Sequence, residues 1–177
     1  MDVEGFWALI ERSGRERDTL DGREQWLIGE LRKLGGTQIE DFAIRLQECR
    51  DRVDNAATWA AVDVVYGGAS TDTFWYFQCW LIGQGREAFE EIAAVPDALA
   101  GLPSIRRLAG RTFHDWAEEE WPWWESLVYV PGQAHPGDLE KALAARGFQT
   151  RSDPFPPDWS QIGEYPALRE LFPAGGG

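Results

Sequence analysis

The sequence predicts a mainly α-helical single domain, and three observations carry that prediction. Apolar residues recur at helical spacing over the first hundred positions, and capping residues and glycines punctuate those stretches. The chain has 177 residues, 44% of them hydrophobic, which is one domain of ordinary length with material for a core. No repeat of fixed period appears, and no linker is long enough to divide it. Residues 1–177 are therefore read as one unit, a helical core over 1–100 with an aromatic and acidic, loop-rich extension over 101–177 packing on it.

From Asp2, the residues Val3, Phe6, Trp7 and Ile10 form one amphipathic stripe that stops near Ser13-Gly14. A charged connection runs from Gly14 to Asp21. Asp21 and Glu24 have the spacing of a capping box for a second helix carrying Leu27, Ile28, Leu31 and Leu34, ended by Gly35-Gly36. Thr37 and Glu40 repeat that spacing for a third helix, whose stripe is Ile39, Phe42, Ala43, Leu46, Cys49 and Val53. The apolar middle from Ala56 to Tyr66 reads as a helix stopped by Gly67-Gly68, although the β-branched run 62–65 also suits a short buried strand.

Next, Ser70 or Asp72 can cap a helix with Phe74, Phe77, Gln78 and Leu81 on one side and Trp75, Cys79 and Ile82 on the other. Apolar residues on both sides place it centrally. Gly83-Gln84-Gly85 is a break, Arg86 to Val95 a further helix, and Pro96 opens a short turn and helix. Beyond Gly101, Phe113 to Trp124 is acidic and aromatic, and Leu127 to Val130 looks extended up to Pro131-Gly132. Pro136 to Arg146 reads as a helix ended by Gly147, Ser152 to Pro157 as irregular, and Ala167 to Leu171 as a last short helix.

Charge excludes some function classes. Seventeen Lys and Arg against thirty Asp and Glu leave a net charge of −13, so the mean field repels phosphate backbones and anionic membranes. Neither nucleic acid nor membrane is an expected partner. The N-terminus has no basic region leading into an apolar one, and no stretch reaches the roughly 18 apolar residues of a spanning helix, which points to a cytoplasmic location. Cys49 and Cys79 form no CxxC and read as buried free thiols, and two histidines exclude a His-rich metal site. No phosphate-binding loop, dinucleotide fingerprint or nucleophile elbow is present, and no cofactor is expected.

One stretch carries a family resemblance. Trp59-Ala60-Ala61-Val62, Gly67-Gly68-Ala69-Ser70-Thr71-Asp72, Phe74, Phe77-Gln78-Cys79-Trp80-Leu81-Ile82 and Gly85-Arg86, with Phe6-Trp7 and Ile10 before them, resemble the bacterial domain of unknown function 4240 over roughly the first 100 residues. The resemblance implies a helical fold and a bacterial source but no activity. Thr71 stands where the family pattern has its first Asp, and Gln78 where it has Arg. Read physically, the same stretch is a structural corner: glycines that tolerate positive φ, a cap, and aromatic residues to bury. Ser70 and Asp72 at a helix N-terminus, with Gln78 and Arg86, are candidate ligand contacts.

Chemistry-bearing residues gather elsewhere. Asp63 lies inside an apolar run, where a carboxylate either faces a cleft, pairs with Arg86 or Arg52, or points to solvent. In His114-Asp115-Trp116-Ala117-Glu118-Glu119-Glu120-Trp121, a helix would set His114 and Glu118 on one face, a spacing for an acid–base pair or a divalent ion, and would pair Asp115 with Glu119. A solvated acidic face explains the cluster as well. Trp116, Trp121, Trp123 and Trp124 crowd one segment in which Pro122 interrupts regular helix, so some of them are expected to line a groove. Carboxylates beside indoles suit a cationic or hydroxylated small molecule, or a peptide, and Pro154 to Trp159 could strap the same surface.

The leading expectation is a monomeric or weakly dimeric binding module that takes a protein, peptide or small molecule on an acidic groove containing Trp116, Trp121 and Trp124. The alternative is a cofactor-independent enzyme in which His114, with Asp63 and Glu118 or Asp72, does acid–base work.

Overall fold

The structure, a computed structural model, describes residues 1–151 and 163–173; the expected strap over Pro154 to Trp159 lies outside the described residues. Helix α1 (Val3–Glu16) starts at Asp2, whose carboxylate accepts from the Gly5 N–H at 2.8 Å, and it buries Phe6, Trp7 and Ile10. Helix α2 (Leu20–Leu31) is capped by the Thr19 hydroxyl, which accepts from Gly22 at 3.1 Å, two residues before the expected Asp21. Helix α3 (Gly36–Val53) begins at Gly35 with no side-chain cap, and Thr37 sits inside its first turn. Both start two residues earlier than those spacings set, and for α2 the reason is local, since Thr19 is itself a hydroxyl cap upstream of Asp21.

Helix α4 (Ala56–Tyr66) includes the β-branched run 62–65, which is helical and not a strand. Asn55 caps its start and Gly67, at φ 69°, closes its end in the left-handed conformation. Helix α5 (Thr71–Gly83) takes Ser70 as its cap, through the Thr73 N–H at 3.1 Å, and is the central, largely buried helix that its two-sided apolar pattern requires. Helix α6 (Arg86–Ala94), a 3-10 turn over Pro96–Gly101 and α7 (Pro103–Arg106) follow. The core is aromatic at its seams: Phe6 meets Phe42 at 5.0 Å between α1 and α3, and Trp59 stacks on Phe74 at 4.4 Å between α4 and α5.

The segment read as extended is not a strand. Residues Glu125–Tyr129 form a 3-10 turn that passes into α8 (Val130–Ala134), because Pro131 occupies a first-turn position where its missing N–H costs no hydrogen bond. No strand occurs among the described residues, and no helix is long and apolar enough to cross a membrane. Helix α9 (Leu139–Ala145) is capped by Asp138, and α10 (Pro166–Leu171) is held by the Asp97 carboxylate, which accepts from Ala167 at 3.1 Å and Leu168 at 2.9 Å. Helix α8 packs on α2 and α3, α9 on α3, and α10 on α4. Cys49 and Cys79 are free and buried, and burial pushes the thiols up to about 12 and about 11.

Candidate functional site

The acidic aromatic segment is not a helix, which changes what its residues can do. It forms two separate 3-10 turns, Phe113–Asp115 and Glu118–Glu120, with Trp116 in extended backbone between them. His114 and Glu118, both exposed, therefore share no helical face, and the Asp115–Glu119 pairing disappears for the same reason. The local cause is competition from the carboxylates. Asp115 accepts from both the N–H and the hydroxyl of Thr112, and Glu120 accepts from the Ala117 N–H at 3.0 Å, so each side chain offers the backbone a turn instead of a helical ladder. The Arg111 guanidinium grips Glu120 at 2.8 and 2.9 Å and holds its carboxyl down to about 2.

Nor do the tryptophans frame an open groove. Trp116 and Trp124 are 5% and 2% exposed. Trp116 packs edge-on to Tyr66 at 5.4 Å, and Trp124 lies under the Arg23 guanidinium at 4.6 Å, against Gly83 of α5. Trp121 and Trp123 stay half-buried in a T-shaped pair at 4.6 Å. The Tyr66 hydroxyl donates to the Pro122 carbonyl at 3.1 Å, and the Trp124 backbone N–H donates to the Tyr76 carbonyl at 3.1 Å. This segment is pinned to α4 and α5, and its indoles lengthen the core.

The other sequence candidates are scattered. Asp63 is exposed and accepts from the Ala69 N–H at 2.8 Å, tying off the Gly67-Gly68 corner. Its proposed partners are engaged elsewhere, Arg86 with Glu4 at 2.7 Å and Arg52 with Glu90 at 2.6 Å. Ser70 is the cap of α5, Asp72 is exposed in its first turn, and Gln78 is wholly buried with neither amide atom hydrogen-bonded to a described residue. No hydrogen bond or ion pair among the described residues joins His114, Asp63 and Glu118.

A different set of residues surrounds a cavity of about 570 Å³, formed by α3, α5, the 125–129 turn, α8 and α9. Leu46, Val128 and Leu143 give it apolar walls, Trp75 an aromatic one, and Gln47 and Arg50 polar groups. None of the sequence-proposed site residues lines it. Arg50 is 3% exposed, with its guanidinium carbon 3.1 Å from the centre of the Trp75 ring. Its Nε and Nη2 have no hydrogen-bond partner among the described residues. Burial pulls its pKa below the usual arginine range, with Cys79, Asp51 and Asp54 opposing the fall and Arg151 adding to it. Those carboxylates are themselves bound to Arg151, at 2.8 and 2.5 Å.

The sequence did hold a signal for Arg50. It lies four residues after Leu46 and three before Val53, on the buried stripe of α3, where a charged residue is anomalous. Read against a stripe completed by the neighbouring Cys49, that anomaly passes unnoticed. Trp75 and its ring contact with Arg50 had no comparable signal, because the pairing joins residues of two helices.

Comparison with known proteins agrees with the fold and adds no activity. No curated protein and no solved structure matches the chain. A family model described as a protein of unknown function, DUF4240, matches residues 1–136, which takes in α1 to α8, the Gly67-Gly68 corner, Arg50 and Trp75. On that match the chain belongs to the DUF4240 family.

Proposed function

We propose that the protein is a binding module whose ligand is a small molecule held in the cavity between α3, α5, α8 and α9. One observation carries this reading: a buried, hydrogen-bond-poor arginine stacked on a tryptophan at the wall of a cavity of about 570 Å³. Small-molecule sites are concave and mostly apolar, of roughly 300–1,000 Å³, with a few polar groups that fix orientation. The cavity has that make-up, and its aromatic wall supplies an optical reporter.

The test is a thermal-shift screen of a metabolite-like library against the wild-type protein and Leu143→Trp, which fills the cavity. Ligands should raise the wild-type Tm and lose that effect in the variant, with far-UV circular dichroism unchanged. Ligands that stabilise both proteins equally would place binding elsewhere.

A second reading is favoured by the half-exposed Trp121–Trp123 pair beside the exposed Glu118 and Glu119. A cationic or hydroxylated small molecule, or a peptide, would use that face. Its binding would survive Leu143→Trp and fall in Trp121→Ala.

A further inference from the structure

We infer that the cavity recognises a single carboxylate carried on an apolar body, with Arg50 as the group that anchors it. The inference rests on the small-molecule reading of the cavity and adds the ligand's chemical class.

Two arginines stacked on tryptophans make the argument. Arg23, on α2, lies over Trp124 at 4.6 Å and donates to the Gly83 carbonyl at 2.8 Å, the Ser13 hydroxyl at 3.1 Å and the Ile10 carbonyl at 3.4 Å. Its donors serve the protein, and its role is complete. Arg50 is held 3% exposed over Trp75 and forms no hydrogen bond with any described residue. Nε and Nη2 carry three of the five N–H donors of a guanidinium, which has no acceptor, and leaving those unmade in a buried position is costly. An acceptor reaching the cavity would relieve that cost.

The surroundings narrow the acceptor. The neighbouring charge of Arg151 is already committed to Asp51 and Asp54, so among the described residues Arg50 is the cationic group at the cavity without an ion-pair partner. Asp138 and Glu140 also line the cavity and repel a multiply charged anion such as a phosphate ester. Leu46, Val128 and Leu143 favour an apolar body, and the guanidinium held over Trp75 presents a planar fork of donors that suits the two-oxygen edge of a carboxylate.

The experiment is isothermal titration of the whole chain with octanoate and phenylacetate against their neutral amides, octanamide and phenylacetamide, and with inorganic phosphate. The carboxylates should bind at least about tenfold more tightly than the amides, phosphate should not displace them, and Arg50→Met should remove the difference while retaining amide binding. Equal binding of acids and amides by the wild type overturns the carboxylate inference and leaves the cavity reading standing. Binding of neither class overturns both. Should Arg50→Met fail to fold by circular dichroism, the acid-to-amide ratio in the wild type decides alone, with Leu143→Trp locating the site.

Discussion

Replacing each stacked arginine by methionine separates an arginine that holds the fold from one that does not. Arg23→Met deletes two short hydrogen bonds from a charged donor, to Gly83 at 2.8 Å and Ser13 at 3.1 Å, and a longer one to Ile10 at 3.4 Å. At roughly 1.5 kcal/mol for each short bond the loss is about 3 kcal/mol, and relief of the charge's burial returns about 1, for a net cost of about 2 kcal/mol. Arg50→Met deletes no hydrogen bond to any described residue. It forfeits the cation–π contact with Trp75, about 1–2 kcal/mol, which a methionine sulfur over the same ring partly replaces, and relief of the charge's burial returns about 1 kcal/mol, as it does at Arg23. The expected outcome is a stability equal to wild type or higher. Urea unfolding followed by circular dichroism should therefore set the two variants about 2 kcal/mol apart, and thermal scans about 4–8 °C apart at this chain length. A cost for Arg50→Met as large as that for Arg23→Met would refute the reasoning, because Arg50 would then be structural.

Two further outcomes follow from the geometry. The Glu120 carboxyl, held down to about 2 by Arg111, contributes stability that is fully present above the ordinary carboxylate pKa of roughly 4.3 and is lost as pH falls toward 2. Tm should drop across that window, and Glu120→Gln should flatten the drop; a variant with an unchanged acid limb would count against the pairing. Gly83→Ala sets a Cβ 2.8 and 2.9 Å from two ring carbons of Trp124, so about 1–3 kcal/mol of overpacking opposes a helix-propensity gain of up to about 1. A net loss and an altered near-UV spectrum are expected, whereas a stabilised protein would show that the indole moves aside freely.

How much of this was legible in the sequence depended on whether the relevant signal was local. Helices α1 to α6 were readable because apolar residues at helical spacing and glycine breaks are local signals, and Ser70 and Gly67 act at the positions their residue types suggest. The segment from Phe113 to Val130 was misread twice. The helical spacing of His114 and Glu118 lost to carboxylates that bond to nearby N–H groups, and the apparent strand at 127–130 lost to a proline suited to a first helical turn. Burial of Trp116 and Trp124 depends on Tyr66, Arg23 and Gly83, residues distant in the chain, so no reading of their own neighbourhood could place them. The cavity was invisible for the same reason: Arg50 and Trp75 meet only when α3 packs on α5.

The cavity is also divided between two stretches of chain. Arg50, Trp75 and Leu46 lie within the 1–136 stretch that defines the family, whereas Asp138, Glu140, Leu143 and Thr150 lie beyond it on α9 and the chain that follows. Helix α9 meets the bundle mainly through α3, and of its residues only Leu143 is buried. Substitutions on that outer wall would alter the shape and charge of the cavity at little expense to folding, while the arginine and its tryptophan stay in place. The two walls thus answer to different constraints, the inner one to the packing of the bundle and the outer one to a short helix with a single buried side chain.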